Sequence, residues 1–343
     1  MRDRLGVALP IIQAPMAGSQ GSGLAIAVCE AGGLGSLPMA MLSSDAMRAE
    51  IGAVRAATSR PFNVNFFCHT EPAPDAAREA AWRATLAPYY RELGLDVDAI
   101  PAGPARRPFD ADAAELLLEL APPVVSFHFG LPAGSLLDVV RRTGATILSS
   151  ATTVDEARWL EERGVHAIIA QGLEAGGHRG HFLSDDLTLQ SGTIALVPQI
   201  ARAVRVPVIA AGGIADAQGV AAALALGASA VQVGTSYLLC PEATTRAVHR
   251  TALASDDARH TALTNLFSGR PARGIVNRVM RELGAMSNVA PPFPLASATI
   301  APLRAAAEGE GHSDFSPLWA GQNASGCRAA PAAEITRALA ARL

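Results

Sequence analysis

Residues 167–182 read AIIAQGLEAGGHRGHF, and the fold follows from how that stretch is read. The run AIIA has the unbroken apolar character of a strand buried on both faces, and it ends in a polar, glycine-rich loop carrying Gln171, Glu174, His178 and His181. A strand that delivers titratable groups to its C-terminal end is how barrel enzymes present their chemistry. Gly176 and Gly177 remove two Cβ atoms just before His178, so a flat ligand can approach the backbone beside an imidazole. A lone loop histidine is by default a solvated surface group. Here the strand, Gln171 and the glycine pair together mark His178 as the reactive group.

Outward from this stretch the chain alternates strand and helix. LPIIQAPMAG (9–18) reads as a buried strand ending at Pro15, followed by an Ala-rich helix over 23–31. GGLGSLPM (32–39) is a second strand, and helical spacing over 43–57 starts at a Ser43 or Ser44 cap. FNVNFF (62–67) is a third strand, with Asn63 and Asn65 on one face and Phe62, Val64 and Phe66 on the other. Residues 68–121, with a polar helix over 74–93 and a Pro/Arg-rich stretch over 100–108, are too long for a simple connection and read as an excursion. VVSFHFG (124–130), ATILSSATT (145–153), AIIAQG, PVIAAGGIAD (207–216) and SAVQVGTSYL (229–238) resume the strands. Helices lie between them: one after Thr152 or Thr153 as cap, and ALVPQIARAV with Pro198 in its first turn. About eight strand–helix units predict an α/β protein, a (β/α)8 TIM barrel over residues 1–241. Residues 242–320 show no periodic strand and read as a helical and loop region on the substrate side of the barrel mouth. Residues 321–343 read as a C-terminal segment ending in an amphipathic helix that packs on the barrel.

Bulk composition narrows the function. Half of the 343 residues are hydrophobic, enough for a large core, and the net charge of −3 gives no basic field for nucleic acid or an anionic membrane surface. All 28 basic residues are Arg, which excludes a Schiff-base lysine and a P-loop lysine. Cys29, Cys68, Cys240 and Cys327 are scattered without metal-site spacing, so they read as reduced, mostly buried thiols and no metal is expected. No apolar run matches a signal peptide or a membrane span, so the expected location is the cytoplasm.

Two loops near the end of the barrel suit a phosphate. AAGGIAD (210–216) places Gly212 and Gly213 between a strand and a helix start, where amide N–H groups point at an anion, and QVGT (232–235) repeats the device one unit later with the Thr235 hydroxyl. Loops after strands seven and eight are the usual phosphate site of this barrel. No GxGxxG with a following acid is present, so a Rossmann dinucleotide site is not expected. Flavin mononucleotide (FMN) fits: phosphate on Gly213 and Val233–Thr235, ring near Asn65, Gln171 and Ala14, Pro15 and Met16. Asn and Gln amides both donate and accept, as the pyrimidine edge of the flavin requires. His128 is either a pocket residue or a satisfied structural histidine. Arg179 could attract an anionic substrate but reads more simply as an exposed helix or loop residue, and His69, His166, His249, His260 and His312 read as surface groups.

IIQAPMAG, VNFF, SFHFG, SSATT, IAQGLEAGGHRG, VIAAGGI, QVGT and WAGQNA, in this order, resemble the nitronate monooxygenase family, formerly called 2-nitropropane dioxygenases. The likeness runs over essentially the whole chain. It implies an FMN-dependent TIM barrel that oxidises alkyl nitronates with O2 to carbonyl compounds and nitrite. It also implies catalysis by His178 and FMN contacts at Asn65, Gln171, Gly176, Gly213, Gln232, Val233, Gly234 and Thr235. Some members carry tyrosines and a lysine where this chain reads PPFPLASATIAP, which offers Phe293 but neither residue type. The expected partners are a nitronate or nitroalkane and O2, with the chain a monomer or homodimer. An FMN-dependent NAD(P)H:quinone or enoyl-thioester reductase, a flavin carrier without turnover, and a flavin-free phosphate-binding isomerase are the competing readings.

Overall fold

The computed structural model describes residues 1–100 and 106–343, so part of the Pro/Arg-rich stretch lies outside the described residues. Helix α1 (Arg2–Leu5) precedes β1 (Ile11–Gln13), and α2 (Ser22–Glu30), β2 (Gly35–Pro38), α3 (Ser44–Ala57) and β3 (Phe62–Phe67) follow. Next come α4 (Ala76–Glu92), α5 (Ala111–Leu120), β4 (Val124–His128), α6 (Gly134–Arg142), β5 (Thr146–Ala151), α7 (Val154–Glu162) and β6 (Ala167–Gln171). After β7 (Gly177–His178) the barrel finishes with α8 (Thr193–Ala203), β8 (Val208–Ala211), α9 (Ala217–Ala225) and β9 (Ala230–Val233). The remainder holds α10 (Ala247–Leu253), β10 (Thr261–Thr264), β11 (Ala272–Ile275), α11 (Arg278–Leu283), α12 (Ala296–Gly309) and α13 (Ala332–Leu339).

Side-chain chemistry sets these boundaries. The Ser43 hydroxyl accepts the Ala46 N–H at the start of α3, and Thr153, Asp110 and Asp216 do the same for α7, α5 and α9. Helix α3 turns Met47, Ile51 and Val54 inward at helical spacing.

Eight strands form one parallel sheet in the order β1-β9-β8-β6-β5-β4-β3-β2. The two ends meet where Gln13 N–H donates to Leu34 O and Leu34 N–H to Ile11 O, both at 2.9 Å, closing a (β/α)8 TIM barrel. Period-two alternation then sorts the side chains. Phe62, Val64, Phe66, Ile168 and Ala170 face the helices in the main core, while Ile12, Val124, Leu148, Ala167 and Ile209 fill the barrel floor with Leu5 of α1. The inward positions at the other end are Asn65, His128, Ser150, Gln171 and Gln232, which makes that end polar and open. Among the described residues no helix is long and apolar enough to cross a membrane.

Three expectations change. Residues 242–320 are not purely helical and loop: β10 and β11 form an antiparallel hairpin that pairs with β7. Each strand is four residues of mixed polarity, too short for a period-two signal, and is held by partners distant in sequence. Helix α5 packs between α3 and α6 as a helix of the barrel itself, so the excursion ends before it rather than at residue 121. Pro198 lies inside α8 rather than in its first turn.

Gly35 is where β2 meets α2, and a Cβ added there would overlap the Ala25 carbonyl. Backbone on both sides leaves no room to relax, so Gly35→Ala is expected to destabilise by about 3 kcal/mol, read as a lower urea midpoint at unchanged slope. An unchanged midpoint would show that α2 is free to slide on the sheet.

Candidate functional site

At the C-terminal ends of the barrel strands lies a cleft of about 1380 Å³, its open mouth included. Ala14, Pro15 and Met16 reach it after β1, Asn65 from β3, His128 from β4 and Gln171 from β6. Gly176, Gly177 and His178 border it, as do Gly212 and Gly213 after β8 and Gln232, Val233, Gly234 and Thr235 at β9. Every site residue singled out in the sequence therefore lines one cavity.

His178 is fixed from two directions. Its backbone pairs with Ala272 of β11, and its Nε2 lies 2.9 Å from Ser268 Oγ, in the turn between β10 and β11. The Ser268 hydroxyl donates to Arg270 O at 3.4 Å, so its oxygen accepts from His178 Nε2–H. In that arrangement the ring lone pair lies on Nδ1. The His178 carbonyl accepts from Gln171 Nε2 (2.9 Å) and His128 Nε2 (3.2 Å), and Ser150 Oγ donates to His128 Nδ1 at 2.6 Å. Gln171 Oε1 accepts the Gly180 N–H at 2.8 Å, so both ends of that amide hold the loop.

Rings surround the imidazole. Centroids of Phe293, Trp319, Phe129 and Phe67 lie 5.2, 5.5, 6.0 and 6.3 Å from it. Burial pushes the His178 pKa well below the usual imidazole value, and the charges of Arg106 and neighbouring basic groups add to the shift. The His178 imidazole is thus neutral at physiological pH.

The opposite wall of the cleft is backbone. Gly212 (φ +116°) and Gly213 (φ +73°) adopt a conformation that side chains rarely take, and Cβ atoms there would press on Ala175 and Glu174. Asn323 Nδ2 donates to Gly213 O at 3.0 Å and Gly321 N–H to Thr235 Oγ1 at 3.0 Å, tying the two loops to the C-terminal segment. Gln232 Oε1 is buried without a hydrogen-bond partner among the described residues. An orphaned acceptor beside a glycine cradle fits a ligand that brings its own donor and an anionic end.

Other residues differ from expectation. Arg179 is 0% exposed and faces away from the cleft, donating to Gln190 Oε1 and to the carbonyls of Gly172 and Gln171 at 2.7–2.8 Å. Its five donors suit a buried loop-closing role that no local pattern reveals. His69 and His249 are buried, not surface groups. Glu174 caps α8, accepting from Thr193 N and Oγ1. Sequence reading missed Arg106, Ser268, Phe67, Trp319, Gly321 and Asn323; only the WAGQNA motif pointed at the last three.

The sequence matches the family model described as nitronate monooxygenase over residues 1–341. It is 44% identical to a nitronate monooxygenase of Paraburkholderia phytofirmans, covering 98% of this chain and 92% of the relative. A nitronate monooxygenase of Pseudomonas aeruginosa is 43% identical, with 99% and 97% covered. The structure of a nitroalkane oxidase from Streptomyces ansochromogenes superposes with a TM-score of 0.88 at 39% identity, covering 100% of this chain and 97% of that one. Fold, cleft and likeness together define an enzyme of the flavin-dependent oxidoreductase class. Within it, the chain belongs to the nitronate monooxygenase family, which acts on small nitro compounds.

The buried histidines make stability pH-dependent. Burial lowers His69, His181 and His249 to about 4 and His128 to about 3, so the folded protein keeps these rings neutral. At and above neutral pH both states are neutral and stability is full; as pH falls from about 6.5 toward 4, only the unfolded chain takes up protons. Each ring then removes about 1.4 kcal/mol per pH unit within that window. The urea midpoint is expected to fall steadily from pH 6.5 to 4.5, and less steeply in His69→Phe. A flat profile would contradict neutral burial.

Proposed function

We propose that this protein uses FMN to oxidise alkyl nitronates with O2, giving a carbonyl compound and nitrite, and that it accepts nitroalkanes after His178 removes the α-proton. The observation that carries this reading is a half-buried, neutral imidazole fixed by Ser268 in a cleft whose lining, among the described residues, contains no Asp or Glu. Nitroalkanes have an acidic C–H, and a neutral imidazole is the right strength of base for it near pH 7.

The residues present fit FMN. The amide loops at Gly212–Gly213 and Val233–Thr235 would hold the phosphate, and Asn65 and the partnerless Gln232 oxygen would meet the ring edge. Gln171 is committed to the His178 loop and would contribute less to the ring than its amide alone suggests. Bound FMN supplies the electron acceptor that the side chains of this protein lack. The chain's own part is positioning and proton transfer. Ser268 holds Nε2 so that Nδ1 can take the proton, while the rings of Phe67, Phe129, Phe293 and Trp319 exclude water from the exchange.

His178→Asn is expected to lower nitroethane turnover by about 10²–10⁴-fold while ethyl nitronate, which needs no deprotonation, is still oxidised. Ser268→Ala shifts the balance the same way to a smaller degree, because the ring is then free to turn. Oxygen uptake on the FMN-loaded protein reads both. Equal loss on both substrates would remove His178 as the base, and rapid anaerobic bleaching of the flavin by NADH would favour the reductase reading.

A further inference from the structure

The cation among the cleft-lining residues is Arg106, at the end of the excursion that follows β3. Its guanidinium carbon lies 5.8 Å from the Phe293 ring centroid, and that ring lies 5.2 Å from His178, so base and cation flank one aromatic ring. Among the described residues Arg106 pairs with no carboxylate; its side-chain hydrogen bond goes from NH1 to Ser297 Oγ at 3.2 Å. Residues 101–105, Pro-Ala-Gly-Pro-Ala, contain no acid that might serve. Burial and the Arg304 charge lower its pKa, with no acid opposing them.

A guanidinium partly withdrawn from water without a counterion is unfavourable, and an anion arriving in the cleft relieves that. Among the described residues the other guanidinium donors meet no acceptor, and they lie in the planar fork that matches a planar two-oxygen anion. The nitro group becomes such an anion during deprotonation. The C–H bond breaks with its proton going to His178, its electron pair forms C=N, and the displaced N=O pair settles on oxygen.

We propose that Arg106 is the oxyanion-binding residue of the site, holding the two oxygens of the substrate's nitro group and stabilising the charge that develops there as His178 takes the proton. This rests on the nitronate-oxidising reading above. A purely structural Arg106, tethering α12 through Ser297 and stacking on Phe293, is the competing account.

Arg106→Leu and Arg106→Lys in the FMN-loaded protein separate the two. Inorganic nitrate, planar and not oxidisable, is titrated calorimetrically, so this arm does not depend on turnover. Nitrate affinity is expected to fall at least about tenfold in Arg106→Leu and to return in part in Arg106→Lys. For ethyl nitronate, already an anion, KM rises about tenfold with kcat little changed; for nitroethane, kcat/KM falls about 100-fold because the charge develops in the transition state. The acid limb of the nitroethane profile moves to higher pH, since a cation near His178 is gone. Nitrate affinity and both KM values like the parent's, with only the melting temperature reduced, would overturn the proposal in favour of the structural account. If the parent oxidises neither substrate, the nitronate reading fails, while the nitrate titration still decides whether Arg106 binds an oxyanion.

Discussion

The site depends on the backbone pairing between β7 and β11. β7 is two residues long, Gly177 and His178, and has no propensity of its own that would make it a strand. It exists because β11 offers a ladder edge, with Ala272 opposite His178 and Arg273 opposite Gly177. The turn leading into β11 brings Ser268 to the imidazole, and Arg179 N–H donates to Pro271 O at 2.8 Å just beyond. A segment after the barrel thus immobilises a loop inside it. The barrel orients the strand ends, and the small sheet orients His178.

Electrostatics follow from the same arrangement. Acids near the loop are spent on structure: Glu174 caps α8, and Glu156 accepts the N–H groups of Thr152 and Phe182. Among the described residues the charged or titratable side chains left in the cleft are imidazoles and the Arg106 guanidinium, set among amides, hydroxyls and aromatic rings. Such a lining keeps histidines neutral and favours an anionic guest, since charges in a desolvated pocket are screened little. Phe129 is held at φ +69°, a strained conformation for a bulky residue, with its ring 4.3 Å from the Arg270 guanidinium carbon. Local strain beside the base indicates that packing from both the barrel and the hairpin overrides backbone preference there.

Much of this was legible in the chain. The strands are short unbroken apolar runs with glycine-rich ends, so AIIAQG, VIAAGG and AVQVG announce parallel strands buried on both faces whose C-terminal loops form the open end. The residues placed in the site from that pattern do line one cavity. Arg179 shows the limit, because a charged residue in a polar loop has the same signature whether it is solvated or buried against carbonyls. His69 is similar: its burial comes from Phe129 and Phe293, which are 60 or more positions away in the chain.

The sequence by itself determined the barrel, the open polar end, the glycine cradle and the place of His178 at the cleft, because each is written in local periodicity and spacing. Only the tertiary structure decided that Ser268 meets Nε2 of His178 and that Arg106 reaches the cleft. These depend on contacts between segments about 90 to 190 residues apart, closed by backbone pairing and burial that no local pattern encodes.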